Sequence, residues 1–229
     1  MAQSGGFGHA YFARAYQDGY FRRNPPRKAR YYLSRIRRAA PGGLLLDIGC
    51  SYGAFLRDAR EHFDCRGCDV DAQVVAAARE GLAGVEVFQA SLPHVPADRE
   101  HDVVTCLDVL EHVPDVPAAL ANLRELLRPG GVLCAVVPVY DGPLGWLIRA
   151  LDRDDTHLHR RGRWWWREQI LAAGFTELCW EGIVRYPVGR WYLHVAGGWL
   201  RRSGAACLFL VRRPEEAVAD GYRRDPGLR

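Results

Sequence analysis

Asp47 is followed at alternate positions by Gly49, Ser51 and Gly53, between a run of leucines and a helix-like stretch of Ala54, Phe55, Leu56 and Ala59. Small residues at that spacing let a backbone approach a bound molecule closely, and the helix that follows turns unpaired N–H groups toward it. The chemistry implied is capture of a nucleotide-like ligand. Asp69 lies 20 residues beyond Gly49, at the end of the next apolar run. A carboxylate placed there can accept hydrogen bonds from both hydroxyls of a ribose. Asp71 suits a different task, capping a helix that carries Val74, Val75 and Ala78.

A second group of polar residues, Asp152, Asp154, Asp155, His157 and His159, has the ligand types of a metal site. Nothing local sets their geometry, so the expectation is a hydrophilic loop at the mouth of the site, with no metal. Cys65 and Cys68 form a C-x-x-C inside a predicted strand, where residues three apart face opposite sides, which argues against a redox or zinc pair. The seven scattered cysteines fit a reducing compartment. Trp164, Trp165 and Trp166 are adjacent on a predicted helix and cannot all face one ligand, so they read as core plus rim.

These residues need a frame. Apolar runs at 44–48, 65–70, 85–89, 102–107 and 132–137 read as strands, separated by stretches with helical spacing. Continuous apolar runs alternating with helices predict a parallel sheet covered on both faces. Right-handed crossovers then gather the loops at one edge, the site. A helix is expected over 27–39 after Pro25-Pro26, and two further strands over 177–183 and 206–211. Between them the segment WYLHVAGGWL reads as an apolar stretch lining a pocket or touching lipid. One domain over 41–213 is expected, with a helical cap over 1–40, insertions around 140–165 and 185–204, and a charged tail over 214–229.

The 229 residues are 48% hydrophobic and 25% charged, which excludes a largely disordered chain. No apolar run has membrane-spanning length and the first residues lack a signal-peptide core, so a cytoplasmic protein is expected. A net charge of +4 does not mark a nucleic-acid binder. Nine basic residues against one acid between Arg14 and Arg38 read as a solvated helix face. Lys28 is the only lysine in the chain, an arginine bias that suggests a GC-rich bacterial source.

Taken in order, LLLDIGCSYGAFL, CDVD, DVVTCLDVLEHVPD, LRELLRPGGVLCAVVP and ILAAGF resemble the class I S-adenosylmethionine-dependent methyltransferases, in the branch of the type 11, 12 and 23 methyltransferase domains. The resemblance covers about 44–175. It implies an α/β, Rossmann-like fold: a seven-stranded, mostly parallel sheet with one antiparallel strand and helices on both faces. It implies S-adenosylmethionine as cofactor and S-adenosylhomocysteine as product. Asp47 and Gly49 then approach the methionine portion, with Cys50, Ser51 and Gly53 completing the loop. Asp69 holds the ribose, Val70 packs on adenine, and Leu107 approaches the sulfonium. Where the family often has an adenine-binding Asp, this chain has Ala90-Ser91-Leu92, leaving that contact to Ser91, Leu92 or the backbone. Ser51 replaces the family's middle glycine.

The resemblance implies methyl transfer to O, N or C of a small metabolite, by in-line displacement at the sulfonium methyl. A hydroxyl or weakly acidic amine gains from a base, for which His112 and His157 are the candidates. Tyr11 and Tyr16 could close over the cofactor. Aromatic and arginine-rich walls suit an aromatic, acidic, carrier-bound or lipid-like acceptor. A nicotinamide-dependent oxidoreductase is the competing reading, but its G-x-G-x-x-G would need glycines where Ser51 and Ala54 stand. A non-catalytic or RNA-binding protein of the same fold is the other.

Overall fold

A computed structural model describes residues 20–142, 145–152, 154–188 and 191–215. Tyr11, Tyr16 and most of the charged tail lie outside them. Among the described residues, strands β1 (Leu44–Ile48), β2 (Asp64–Asp69), β3 (Glu86–Gln89), β4 (His101–Leu107), β5 (Leu127–Pro138), β6 (Thr176–Val188), β7 (Trp191–Gly197) and β8 (Ala206–Arg212) form one sheet. Its order is β3-β2-β1-β4-β5-β8-β6-β7. The first five strands pair in parallel. β8 runs against both β5 and β6, so β6 shares the direction of the first five, and β7 runs against β6. The mostly parallel α/β sheet is therefore as expected, with eight strands in place of seven.

The additional strand is β7, the segment expected to line a pocket or touch lipid. Leu193 and Val195 face outward while His194 and Ala196 turn inward, the alternation of a strand with one covered face. β5 also starts earlier than the predicted 132, because Leu127 pairs with His101 ahead of the Pro129-Gly130-Gly131 kink. The helix ahead of it accordingly ends at Glu125.

Helices α1 (Tyr20–Arg23), α2 (Pro26–Ala39), α3 (Ala54–Ala59), α4 (Ala72–Gly81), α5 (Val116–Glu125), α6 (Gly145–Leu151) and α7 (Arg163–Ala172) accompany the sheet. α2 starts with Pro26, whose fixed φ and missing N–H suit a first helical position. Asp71 caps α4, its Oδ1 accepting from Gln73 N at 2.8 Å and Val74 N at 3.1 Å. Part of the segment expected as an insertion loop around 140–165 is helical, as α6.

Neighbouring strand residues face opposite sides, which makes two cores. Leu46, Ile48 and Cys68 pack with α5 and α7, including the fully buried Trp166 and Ile170. Leu45 and Cys65 pack with α2, α3 and α4 through Ile36, Leu56 and Ala78. Each such aliphatic side chain contributes about 1.5–3 kcal/mol by its burial. Cys65 and Cys68 thus face opposite cores. Trp166 is inside and Trp164 exposed, so the triplet is core plus rim. No helix among the described residues is long and apolar enough to cross a membrane.

Candidate functional site

From β1 the chain moves outward to β2 and β3, then crosses back to lay β4 on the other side of β1. The carboxyl ends of β1 and β4 open a crevice at that reversal, where ligands of such sheets bind. A cavity of about 120 Å³ lies there, lined by Asp47, Gly49, Cys50, Ser51, Leu107 and Asp108 from the sheet edge. Tyr20, Asn24, Lys28 and Tyr32 close it from α1 and α2.

The glycine turn is held by Cys68 O, which accepts from Gly49 N at 2.8 Å and Cys50 N at 2.9 Å. Gly49 has φ 71°, and a Cβ there would overlap Val109 Cγ2. Ser51 also adopts a left-handed φ, 49°, which for a side-chain-bearing residue costs on the order of 1 kcal/mol. Its N–H donates to Asp69 Oδ2 at 2.9 Å, an offset to that strain.

Asp47 is almost fully buried, and Thr105, its register partner on β4, donates to its Oδ1 at 2.6 Å. Burial pushes the Asp47 carboxyl up to about 7, with the hydrogen bond opposing and the Asp69 charge adding to the rise. Asp69 is raised by burial too, against hydrogen bonds from Asp71 and Ser51 N–H groups. Each Asp69 oxygen already accepts one backbone N–H, Oδ1 from Asp71 at 3.2 Å, which orients the carboxylate while leaving further acceptor capacity.

The remaining expected cofactor residues separate. Gly53 has φ 76° and a Cβ there would overlap Leu82, so it shapes the entry to α3. Val70 is exposed at the rim beside Asp69. Ser91 is exposed as well, whereas Leu92 packs into the core with Val95, and neither lines the cavity.

Sequence reasoning missed the charged wall facing Asp47. Lys28, expected on a solvated helix face, lies on the buried side of α2, donating to Asn24 Oδ1 at 3.0 Å and lying 3.5 Å from Asp108 Oδ2. Burial lowers its ammonium, opposed by the Asp108 charge. Arg185, from β6, clasps both Asp108 oxygens at 2.5 and 2.6 Å. Burial would raise the Asp108 carboxyl, yet Arg185 and Lys28 hold it far below the usual carboxylate range. Being the chain's only lysine was the one signal that set Lys28 apart; Arg185 had none, 77 residues from its partner.

His112 and His157 come together, their ring centroids 4.8 Å apart. His112 ends a 3-10 turn, Leu110–His112, that follows β4, and His157 lies between α6 and α7. They do not line the cavity but sit beyond Asp108, with the buried Glu111. Burial lowers the His112 imidazole, and the neighbouring His157 adds to this.

The model of a family described as the methyltransferase domain, type 23, matches residues 20–177. A ubiquinone biosynthesis O-methyltransferase of Pectobacterium carotovorum is 35% identical over 107 residues, 44% of this chain and 45% of that protein. The chain thus spans under half the length of the curated relatives it matches. A SAM-dependent methyltransferase of Thermotoga maritima superposes with a TM-score of 0.69 at 17% identity, covering 88% of this chain and 96% of that one. The [4+2]-cyclase SpnF superposes at 0.60 with 22% identity, over 82% of each. With its doubly wound sheet, glycine turn and paired strand-end carboxylates, the chain belongs to the methyltransferase domain family.

Proposed function

We propose that the protein binds S-adenosylmethionine in the Asp47–Lys28 cavity and transfers its methyl group to a small acceptor by in-line displacement, with oxygen as the favoured acceptor atom. The observation that carries this is the buried Asp47, facing a cavity with its carboxyl raised to about 7. A buried carboxylate is costly without a cation, and the methionine ammonium of the cofactor would supply one. Gly49 lines the cavity without a side chain of its own, which suits close approach of that same portion. Lys28 stands across the cavity as partner for a ligand carboxylate, Asp69 for ribose hydroxyls and Val70 for an adenine face.

When bound, the cofactor supplies a methyl group already activated on a positive sulfonium. The protein's share is positioning and exclusion of water, which proximity alone makes worth several powers of ten. Tyr20 assists by accepting from Ala54 N at 3.3 Å, which ties α1 over the glycine turn. His112 and His157, beyond Asp108, activate an acceptor hydroxyl. The named activity of the Pectobacterium relative supports oxygen over nitrogen or carbon. The aromatic and arginine-rich surroundings support an aromatic or acidic acceptor, free, carrier-bound or lipid-like.

Methyl-labelled cofactor, incubated with phenolic and carboxylated phenolic acceptors, tests the reading. Label is expected in an ether product with wild type, falling at least about a hundredfold in His157→Gln. Label in no acceptor, despite tight cofactor binding, would count against the transferase reading, since this fold also carries other chemistry.

A further inference from the structure

Three donor groups from two separate stretches converge beyond Asp108. Glu111 Oε1 lies 4.0 Å from His112 Nε2 and 4.0 Å from His157 Nε2, and the three donor atoms all fall within 4.8 Å of one another. Asp154 Oδ2 is 3.8 Å from His157 Nε2. These separations are too long for hydrogen bonds, so the groups are gathered without bonding one another.

The hydrogen bonds behind the rings set their tautomers. His112 Nδ1 is 3.1 Å from Thr156 O, and a carbonyl only accepts, so Nδ1 carries the proton. His157 Nδ1 donates in the same way to Asp152 Oδ2 at 2.8 Å, which also accepts from Tyr140 OH at 2.5 Å and Arg160 Nε at 3.2 Å. In the neutral rings the metal-binding lone pair is then on Nε2, and both Nε2 atoms lie on the Glu111 side. Glu111 is 1% exposed, and its Oε2 has no hydrogen-bond partner among the described residues. A buried polar group without a partner is costly, and a cation drawn in among the three converging donors would offset that cost.

We propose that Glu111, His112 and His157 form a binding site for a divalent first-row transition-metal ion, zinc or a close analogue, with Asp154 at its edge. Two imidazoles and one carboxylate are the donors that borderline ions prefer, whereas magnesium and calcium favour oxygen alone. Metal–donor bonds of about 2.0–2.1 Å require each side chain to draw inward by about half an ångström. Asp152 behind His157 and the Thr156 carbonyl behind His112 are the outer partners that orient metal-binding imidazoles. His112 and His157 keep slight exposure, 12% and 14%, which leaves an entry path. No local spacing within 152–159 announces such a site, because Glu111 and His157 are 46 residues apart.

If methyl transfer is the reaction, the ion is the means by which the histidines activate the acceptor. The acceptor oxygen binds the ion and loses its proton to water. Its lone pair forms the new bond to the methyl carbon, and the electron pair of the breaking sulfur–carbon bond returns to sulfur.

The full chain, stripped with a chelator, is titrated with Zn²⁺ by calorimetry and with Co²⁺ by visible absorption, alongside Glu111→Gln and His157→Gln. S-adenosylhomocysteine binding is measured on all three proteins. One equivalent of Zn²⁺ is expected, bound at least about tenfold more weakly by each variant, with a cobalt spectrum lacking thiolate charge-transfer bands. No Zn²⁺ binding by wild type, equal binding by all three, or a cobalt–thiolate spectrum pointing to the cysteines would overturn the site. If Glu111→Gln fails to fold, as its melting curve would show, the partly exposed His157→Gln carries the comparison. Failure of wild type to bind S-adenosylhomocysteine would instead strike the cofactor reading and leave the metal result standing.

Discussion

Asp47 joins the stability of the protein to its ligand chemistry. Its folded carboxyl, raised to about 7 by burial, holds a proton more tightly than the same group in the unfolded chain, near about 4. The stability this confers is fully present below about pH 4 and is lost as pH rises through about 7. Thermal melts of ligand-free protein should therefore fall more steeply over that window than those of Asp47→Asn. The proposed cofactor contact would run the other way, because a ligand ammonium needs the ionised carboxylate. Affinity for S-adenosylhomocysteine should drop by up to about tenfold for each pH unit below about 7 in wild type, and Asp47→Asn should lose this dependence. Asp69→Ala should weaken the same ligand by more than about 1 kcal/mol, as loss of charged hydrogen bonds does, with calorimetry as the measure. Unchanged affinity would place the ribose elsewhere. At Ser51, φ 49° makes glycine the easier residue, so Ser51→Gly should fold at least as stably while Ser51→Val should lose about 1 kcal/mol or more.

At the scale of elements, Asp71 gives a contained test. It caps α4 through two backbone N–H groups, so Asp71→Ala should destabilise by about 1 kcal/mol in denaturant melts without altering the cavity. That cap, the strand–turn–helix from β1 to α3 and the start of α2 at Pro26 were legible because each rests on neighbours in the chain: a run, a spacing, a proline. β7 was not legible, since Gly197 and Gly198 and the aromatic content hid a two-residue alternation that only pairing with β6 completes. Lys28 was misplaced for a related reason. A run of basic residues along a helix reads as one face, yet α2 buries Ala29, Tyr32, Leu33 and Ile36, and Lys28 falls beside them. The ends of β5 were blurred by Pro129-Gly130-Gly131, which a local reading takes as a stop although the strand continues through it.

The whole molecule divides its work along the carboxyl edge of the sheet. Asp47 and Asp69, at the ends of β1 and β2, were readable as neighbours on that edge because the crossover pattern sends strand ends there. The far side of the site is assembled by long-range closure: Arg185 of β6 reaches Asp108, and His157 from beyond α6 reaches Glu111. Local pattern cannot pair residues so far apart, which is why that side emerged only with the fold. The central claim is that the cavity between Asp47 and Lys28 takes S-adenosylmethionine. Calorimetric titration of the full chain at pH 7.5 with S-adenosylhomocysteine, and separately with NADH, tests it most directly. A single site of affinity at or below about 100 µM for S-adenosylhomocysteine and no response to NADH is expected, in the range such a ligand reaches with two charged contacts. Tight NADH binding with no response to S-adenosylhomocysteine would contradict the account.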